Sequence, residues 1–99
     1  MNSSNFTNLL NNTIDSLMGE TPQTINNGLC DYFASIVNED SNYEAKVVGI
    51  EDFDATKNPL DYPHIWLYFN DKHYDAECVE GVDSWDQLPF FIRMNQTNH

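Results

Sequence analysis

Three residue types in this chain could together activate a thiol: Cys30, His64 and Asp75. A cysteine nucleophile needs a place that favours its thiolate, a histidine to take and return the proton, and a third group to hold that histidine. Cys30 stands at the expected first turn of a helix, where unpaired backbone N–H groups and the helix dipole favour an anion. His64 opens a β-prone run, HIWLYF, and Asp75 lies in the next one, KHYDAECV. If Asn70 and Asp71 alone form the connecting turn, Phe69 pairs with Lys72, Trp66 with Asp75 and His64 with Glu77. His64, Trp66, Asp75 and Glu77 then share one face, with Asp75 diagonal to the imidazole and Glu77 directly opposite it. Either carboxylate can orient His64 in that register. A three-residue turn would send Asp75 to the other face.

The elements that must position these residues follow from apolar spacing. Phe6, Leu9, Leu10, Ile14, Leu17 and Met18 fall on one stripe of an amphipathic helix over residues 3–18, with Ser3 or Ser4 as N-cap and Gly19 as the stop. GETPQTINNG reads as an irregular connection, because Pro22 biases Thr21 away from helical geometry. In LCDYFASIV, Cys30, Phe33, Ala34 and Val37 share a face that Leu29, Tyr32 and Ile36 widen, which predicts a central, largely buried helix ending in the polar run after Val37. YEAKVVGI reads as a strand, EDFDATKNPLDYP as a loop, and the two runs either side of Asn70–Asp71 as a hairpin, giving three antiparallel strands. Beyond Gly81, VDSWDQL offers a short helical or irregular turn, PFFIRM an extended run, and NQTNH a frayed end.

Residues 28–34, Gly-Leu-Cys-Asp-Tyr-Phe-Ala, together with His64-Ile-Trp66 and Tyr74-Asp75-Ala, resemble the nucleophile helix, histidine strand and aspartate strand of the transglutaminase-like branch of the papain-like cysteine-enzyme superfamily. HYDAECVEGVDSWDQLPFF is also similar to the end of small bacterial and phage proteins of this type. The likeness spans roughly residues 22–91. It implies an α+β, papain-like fold in which a cysteine-bearing helix packs on a small antiparallel sheet, preceded by an N-terminal amphipathic helix. The expected organisation is one domain over residues 1–99: an N-terminal helix in 1–20, the papain-like core in 22–91 and a frayed tail in 94–99. By position, Cys30 is the implied nucleophile, His64 the general base and acid, and Asp75 the residue orienting it, with Glu77 the alternative carboxylate. Asp31 departs from the aromatic residue common after the nucleophile, and its charge should raise the thiol pKa. An oxyanion donor besides the Cys30 N–H could come from Gln23, Asn26 or Asn27, of which Gln23 is the most papain-like.

Each of these residues also has a plainer reading. Cys30 is equally a small buried hydrophobe, and His64 after Pro63 could simply cap a strand edge. Trp66, Tyr68, Trp85, Phe90 and Phe91 suit core packing, although Trp66 could wall a cleft. Cys78 by alternation points away from Asp75 into the core, and a bridge to Cys30 stays open. His73 and His99 read as surface residues. Zinc sites need close ligand pairs such as CxxC or HxxxH, which are absent, so no metal or cofactor is expected.

With 99 residues and 40% hydrophobic content, the chain can build one core. Sixteen acids against four Lys and Arg give a charge of −12, which disfavours direct binding to nucleic acid or anionic membranes. Residues 1–38 hold only three of those acids, Asp15, Glu20 and Asp31, so the negative field belongs to the second half. The polar start MNSSNFTN and the absence of a long apolar run predict a cytoplasmic protein. Two functions fit. One is a thiol hydrolase or acyltransferase of protease, deamidase or transglutaminase type acting on a peptide or protein. The other is a catalytically silent acidic interaction protein, such as a phage inhibitor that occupies a basic or nucleic-acid-binding host partner.

Overall fold

The computed structural model describes residues 1–53 and 64–97. The element order is α1 (Ser3–Ser16), α2 (Pro22–Asn26), α3 (Cys30–Asp40), β1 (Lys46–Gly49), a 3₁₀ turn (Ile50–Asp52), β2 (Ile65–Phe69), β3 (Lys72–Asp75), β4 (Cys78–Val82), a second 3₁₀ turn (Trp85–Gln87) and α4 (Pro89–Thr97). Most of the loop read over residues 51–63 lies outside the described residues.

The strands form a four-stranded antiparallel sheet in the order β1-β2-β3-β4. An α+β architecture with the cysteine-bearing helix against the sheet follows directly from how the two faces are covered. One face carries Leu67, Phe69 and Tyr74 and packs on α1 and α3 through Phe6, Leu10, Phe33, Ala34 and Val37. Phe6 lies parallel to Phe69 at 4.3 Å and edge-on to Tyr74 at 4.8 Å. The other face carries Val48 and Trp66 and is closed by Trp85, Leu88, Phe90 and Phe91 from the C-terminal segment. Both sides of β2 are therefore buried, which explains its nearly unbroken apolar run.

The β2–β3 turn has the two residues expected: Phe69 pairs with Lys72, Tyr68 with His73 and Leu67 with Tyr74. Asn70 and Asp71 both take positive φ, 51° and 63°, the conformation whose twist matches a tight hairpin.

Several elements differ from the expectations above. Asn2, not Ser3 or Ser4, caps α1, its Oδ1 accepting the Asn5 N–H at 2.8 Å. The helix ends at Ser16, and Met18 leaves the stripe to stand 90% exposed before Gly19 turns the chain at φ +88°. The connection after it contains α2, because the extended Thr21 that Pro22 enforces is the geometry an N-cap requires. α3 runs on to Asp40, and Tyr32 is exposed, so its buried face is narrower than the apolar arc suggests.

KHYDAECV is two strands rather than one. Asp75 pairs with Cys78 across a turn at Ala76 and Glu77, and Asp75 Oδ1 accepts the Glu77 N–H at 2.9 Å, the bond that makes the reversal. A register shift between His73 and Asp75 is absorbed with Gly81 at φ +81°. A Cβ there would lie 2.7 Å from the Tyr74 ring, so only glycine fits. PFFIRM is helical, not extended: Leu88 is extended and Pro89 takes the first helical position, where its missing N–H costs nothing. That helix includes residues 94–97, which the sequence assigns to a frayed tail.

Candidate active site

Cys30 is the first residue of α3, and no side chain caps that helix. The Cys30 N–H has no backbone acceptor among the described residues, so the first turn keeps donor capacity beside the thiol. His64 immediately precedes β2 and is 1% exposed. Asp75 ends β3 and is 2% exposed. The two-residue hairpin brings Asp75 beneath the imidazole, and His64 Nε2 lies 3.0 Å from Asp75 Oδ2.

This contact assigns the tautomer. A carboxylate only accepts, so Nε2 carries the proton and donates it to Asp75, and Nδ1 is left as the acceptor. Nδ1 is buried and bonds no other described residue at ordinary geometry. The thiol of Cys30 is coupled to the same ring: hydrogen bonding with His64 is the largest influence on the thiol and lowers its pKa. Partial burial opposes this, the Ile65 backbone N–H supports it, and Asp31, the residue expected to raise the pKa, contributes the smallest effect. Burial alone would lower the His64 pKa, but its bonds to Asp75 and Cys30 outweigh burial and raise it. A lowered thiol facing a raised imidazole is the electrostatic condition for a thiolate–imidazolium pair.

Phe90 from α4 stacks on His64 with ring centroids 4.1 Å apart, and Phe91 meets the same ring edge-on at 5.6 Å. Trp66 stacks behind the imidazole at 5.8 Å. It is a packing residue there and does not line the cleft, since its Nε1–H is donated inward to His73 Nδ1 at 2.9 Å. His73 is accordingly buried rather than on the surface, and that burial lowers its pKa. His99 lies outside the described residues.

A cleft of about 430 Å³ opens on Cys30. Asn26, Asn27 and Gly28 line it together with Ile65, Phe90 and Met94, and Asp31 follows the nucleophile in the lining. Gln23 is exposed on α2 and is not part of its lining, which leaves Asn26 and Asn27 as the amide residues that share the cleft with Cys30. Glu77, the alternative orienting carboxylate, is engaged elsewhere. It receives both Arg93 guanidinium nitrogens at 2.9 Å and Asn26 Nδ2 at 2.9 Å. Burial would raise its pKa, yet Arg93 and Asn26 hold it below the usual carboxylate value. Arg93 is the residue that sequence reasoning left without a role, and Asn26, read there only as a candidate oxyanion donor, bonds Glu77 instead; their separation from Glu77, 16 and 51 positions, gives no local signal.

Cys78 is unbridged, as is Cys30. It faces the same side of the sheet as its partner Asp75, because the turn at Ala76 and Glu77 resets the alternation. Burial and the nearby Asp75 charge push its thiol up to about 11, which disfavours the reactive thiolate at neutral pH. Among the described residues no group of His, Cys, Asp and Glu could hold a metal ion, and no helix is long and apolar enough to cross a membrane.

No protein-family model, curated protein or solved structure matches the chain.

Proposed function

We propose that this protein is a cysteine-dependent hydrolase or acyltransferase built on a papain-like arrangement, acting on an amide, thioester or ester carbonyl of a peptide or protein. The observation that carries the reading is the buried His64–Asp75 pair coupled to the half-buried Cys30, in which the 3.0 Å bond to Asp75 favours the tautomer that leaves His64 Nδ1 for the thiol proton. The thiol proton passes to Nδ1, Sγ attacks the carbonyl carbon, and the C–O double bond opens to an oxyanion within reach of the Cys30 N–H. Collapse expels the leaving group, which takes its proton from Nδ1. Water or an amine then attacks the thioester, giving a proton to Nδ1, and Cys30 leaves as thiolate.

The test is the pH dependence of Cys30 alkylation by iodoacetamide, read by peptide mapping in wild type, His64→Ala and His64→Gln. Cys78, in the same molecule, is the slow internal reference. Cys30 should reach half its limiting rate below the ordinary thiol value of 9.0 and lose that advantage in both variants. A Cys30 that reacts no faster than Cys78, or that ignores His64, overturns the reading.

The charge of −12 favours a second reading, a silent acidic protein that binds a basic partner. Cys30→Ala separates the two: the biological effect survives it, with the fold intact, only in the second case.

A further inference from the structure

The geometry points to Arg93 as a positioning residue of the candidate site: forked onto Glu77, it fixes the face of α4 that lays Phe90 on His64 and Met94 in the cleft. This rests on the reading of Cys30 and His64 as the reacting pair and names what holds that pair in place.

Helical spacing brings the three α4 residues together. Phe90, Arg93 and Met94 stand at i, i+3 and i+4, so they share one face of the helix. Phe90 lies on the imidazole with the two rings inclined by only 16°, and Met94 lines the cleft. With nine residues, α4 is too short to be stable alone in water, so contacts with the rest of the chain must hold it. Phe90 and Phe91 bury its first turn, Ile92 is exposed, and Arg93 is its one charged residue.

The Arg93 contact is of the kind that sets orientation. Its two terminal nitrogens meet the two oxygens of Glu77, each at 2.9 Å, a fork that fixes the direction of approach as well as the distance. Glu77 is itself held at two further points. Its Oε1 accepts Asn26 Nδ2 from α2 at 2.9 Å, and its backbone N–H donates to Asp75 Oδ1. One residue thus ties together α4, α2 and the carboxylate that orients His64. The side chains of Glu77 and Arg93 are 16% and 28% exposed, so the fork keeps more of its strength than an ion pair in open solvent.

An ion pair that only added stability would leave the imidazole in place when removed, whereas a positioning pair would not. The experiment follows the His64 ring protons by NMR at alkaline pH, where the imidazole is neutral, together with Cys30 alkylation against pH. Phe90 lies face to face with the imidazole, so its ring current displaces those protons upfield. Arg93→Met, which keeps the stem without the fork, should move them downfield toward their Phe90→Leu positions. It should also raise the Cys30 alkylation midpoint toward the ordinary thiol value of 9.0, as the thiol loses its bond to His64. Glu77→Ala removes the fork from the other side but spares the backbone N–H that Asp75 accepts, and should move the His64 resonances the same way. Gly81→Ala, which destabilises the sheet away from the site, should move neither. His64 resonances of Arg93→Met at their wild-type positions, a response to one fork variant and not the other, or an equal response in Gly81→Ala would each overturn the proposal. His64→Ala distinguishes the two possible failures: a Cys30 midpoint that ignores His64 overturns the underlying reading, and one that follows His64 but ignores Arg93 overturns this proposal alone.

Discussion

Asp75 meets His64 through a single carboxylate oxygen, Oδ2, while its other oxygen accepts the Glu77 backbone N–H. One side chain thus sets the imidazole tautomer and the β3–β4 turn together. The two tasks come apart in Asp75→Asn. The amide oxygen can still hold the Glu77 N–H, but the amide nitrogen donates to Nε2, so the ring proton moves to Nδ1 and blocks proton transfer from Cys30. We expect Asp75→Asn to fold and to lose the low-pH alkylation of Cys30. Asp75→Ala loses both tasks and should also be destabilised by about 1–3 kcal/mol in urea unfolding.

Glu77 contributes to stability in a pH-dependent way. Its folded pKa is lowered below its ordinary 4.5, so its contribution is present above that value and is lost as pH falls through the folded pKa. Glu77→Gln should flatten the loss of stability below about pH 4.5. Arg93→Ala leaves the carboxylate with Asn26 alone and should cost roughly 1 kcal/mol at neutral pH, since the pair is part-buried. Urea midpoints from pH 3 to 7 check both.

Gly81→Ala tests the sheet apart from the site. It forces an L-residue to φ +81° with its Cβ 2.7 Å from the Tyr74 ring, and Tyr74 is fully buried. The melting temperature should fall by several degrees, corresponding to about 2 kcal/mol or more. Cys30 alkylation in the folded fraction should be unchanged.

What could be read from the sequence was whatever depends on neighbours. The Asn70–Asp71 turn fixes the strand register by itself, and it is enough to place Asp75 against His64. The apolar spacing of α1 and α3 likewise names Phe6, Leu10, Phe33, Ala34 and Val37 as buried, but not Thr13, and it includes the exposed Met18 and Tyr32. The reversal at Ala76 and Glu77 was hidden because no Gly or Pro marks it; a side-chain bond from Asp75 makes it. PFFIRM reads as extended from its aromatics, yet Pro89 is a helix start, and only the Trp66 and His64 face opposite explains why both Phe90 and Phe91 are buried. His73 was likewise misplaced because its bond with the buried Trp66 joins diagonal positions on neighbouring strands, which alternation alone does not pair.

Phe90 keeps the imidazole dry. Burial is the largest single influence on His64 and acts to lower its pKa, against the bonds from Asp75 and Cys30 that raise it. Phe90→Ala removes the ring stacked on His64 and admits water, so the His64 pKa should move further up, while Phe90→Leu should hold it near wild type. The sign for stability follows. A folded pKa raised above the ordinary 6.5 contributes stability below that value and loses it as pH rises through the folded pKa. Relative to Phe90→Leu, Phe90→Ala should therefore lose stability over a pH range displaced upward, on top of a pH-independent packing loss of about 3 kcal/mol. His64 imidazole resonances followed from pH 5 to 10, with urea midpoints over the same range, separate the electrostatic effect from the packing one. An unmoved His64 titration in Phe90→Ala would mean that the other walls of the site, Trp66 and Phe91, keep water out without it.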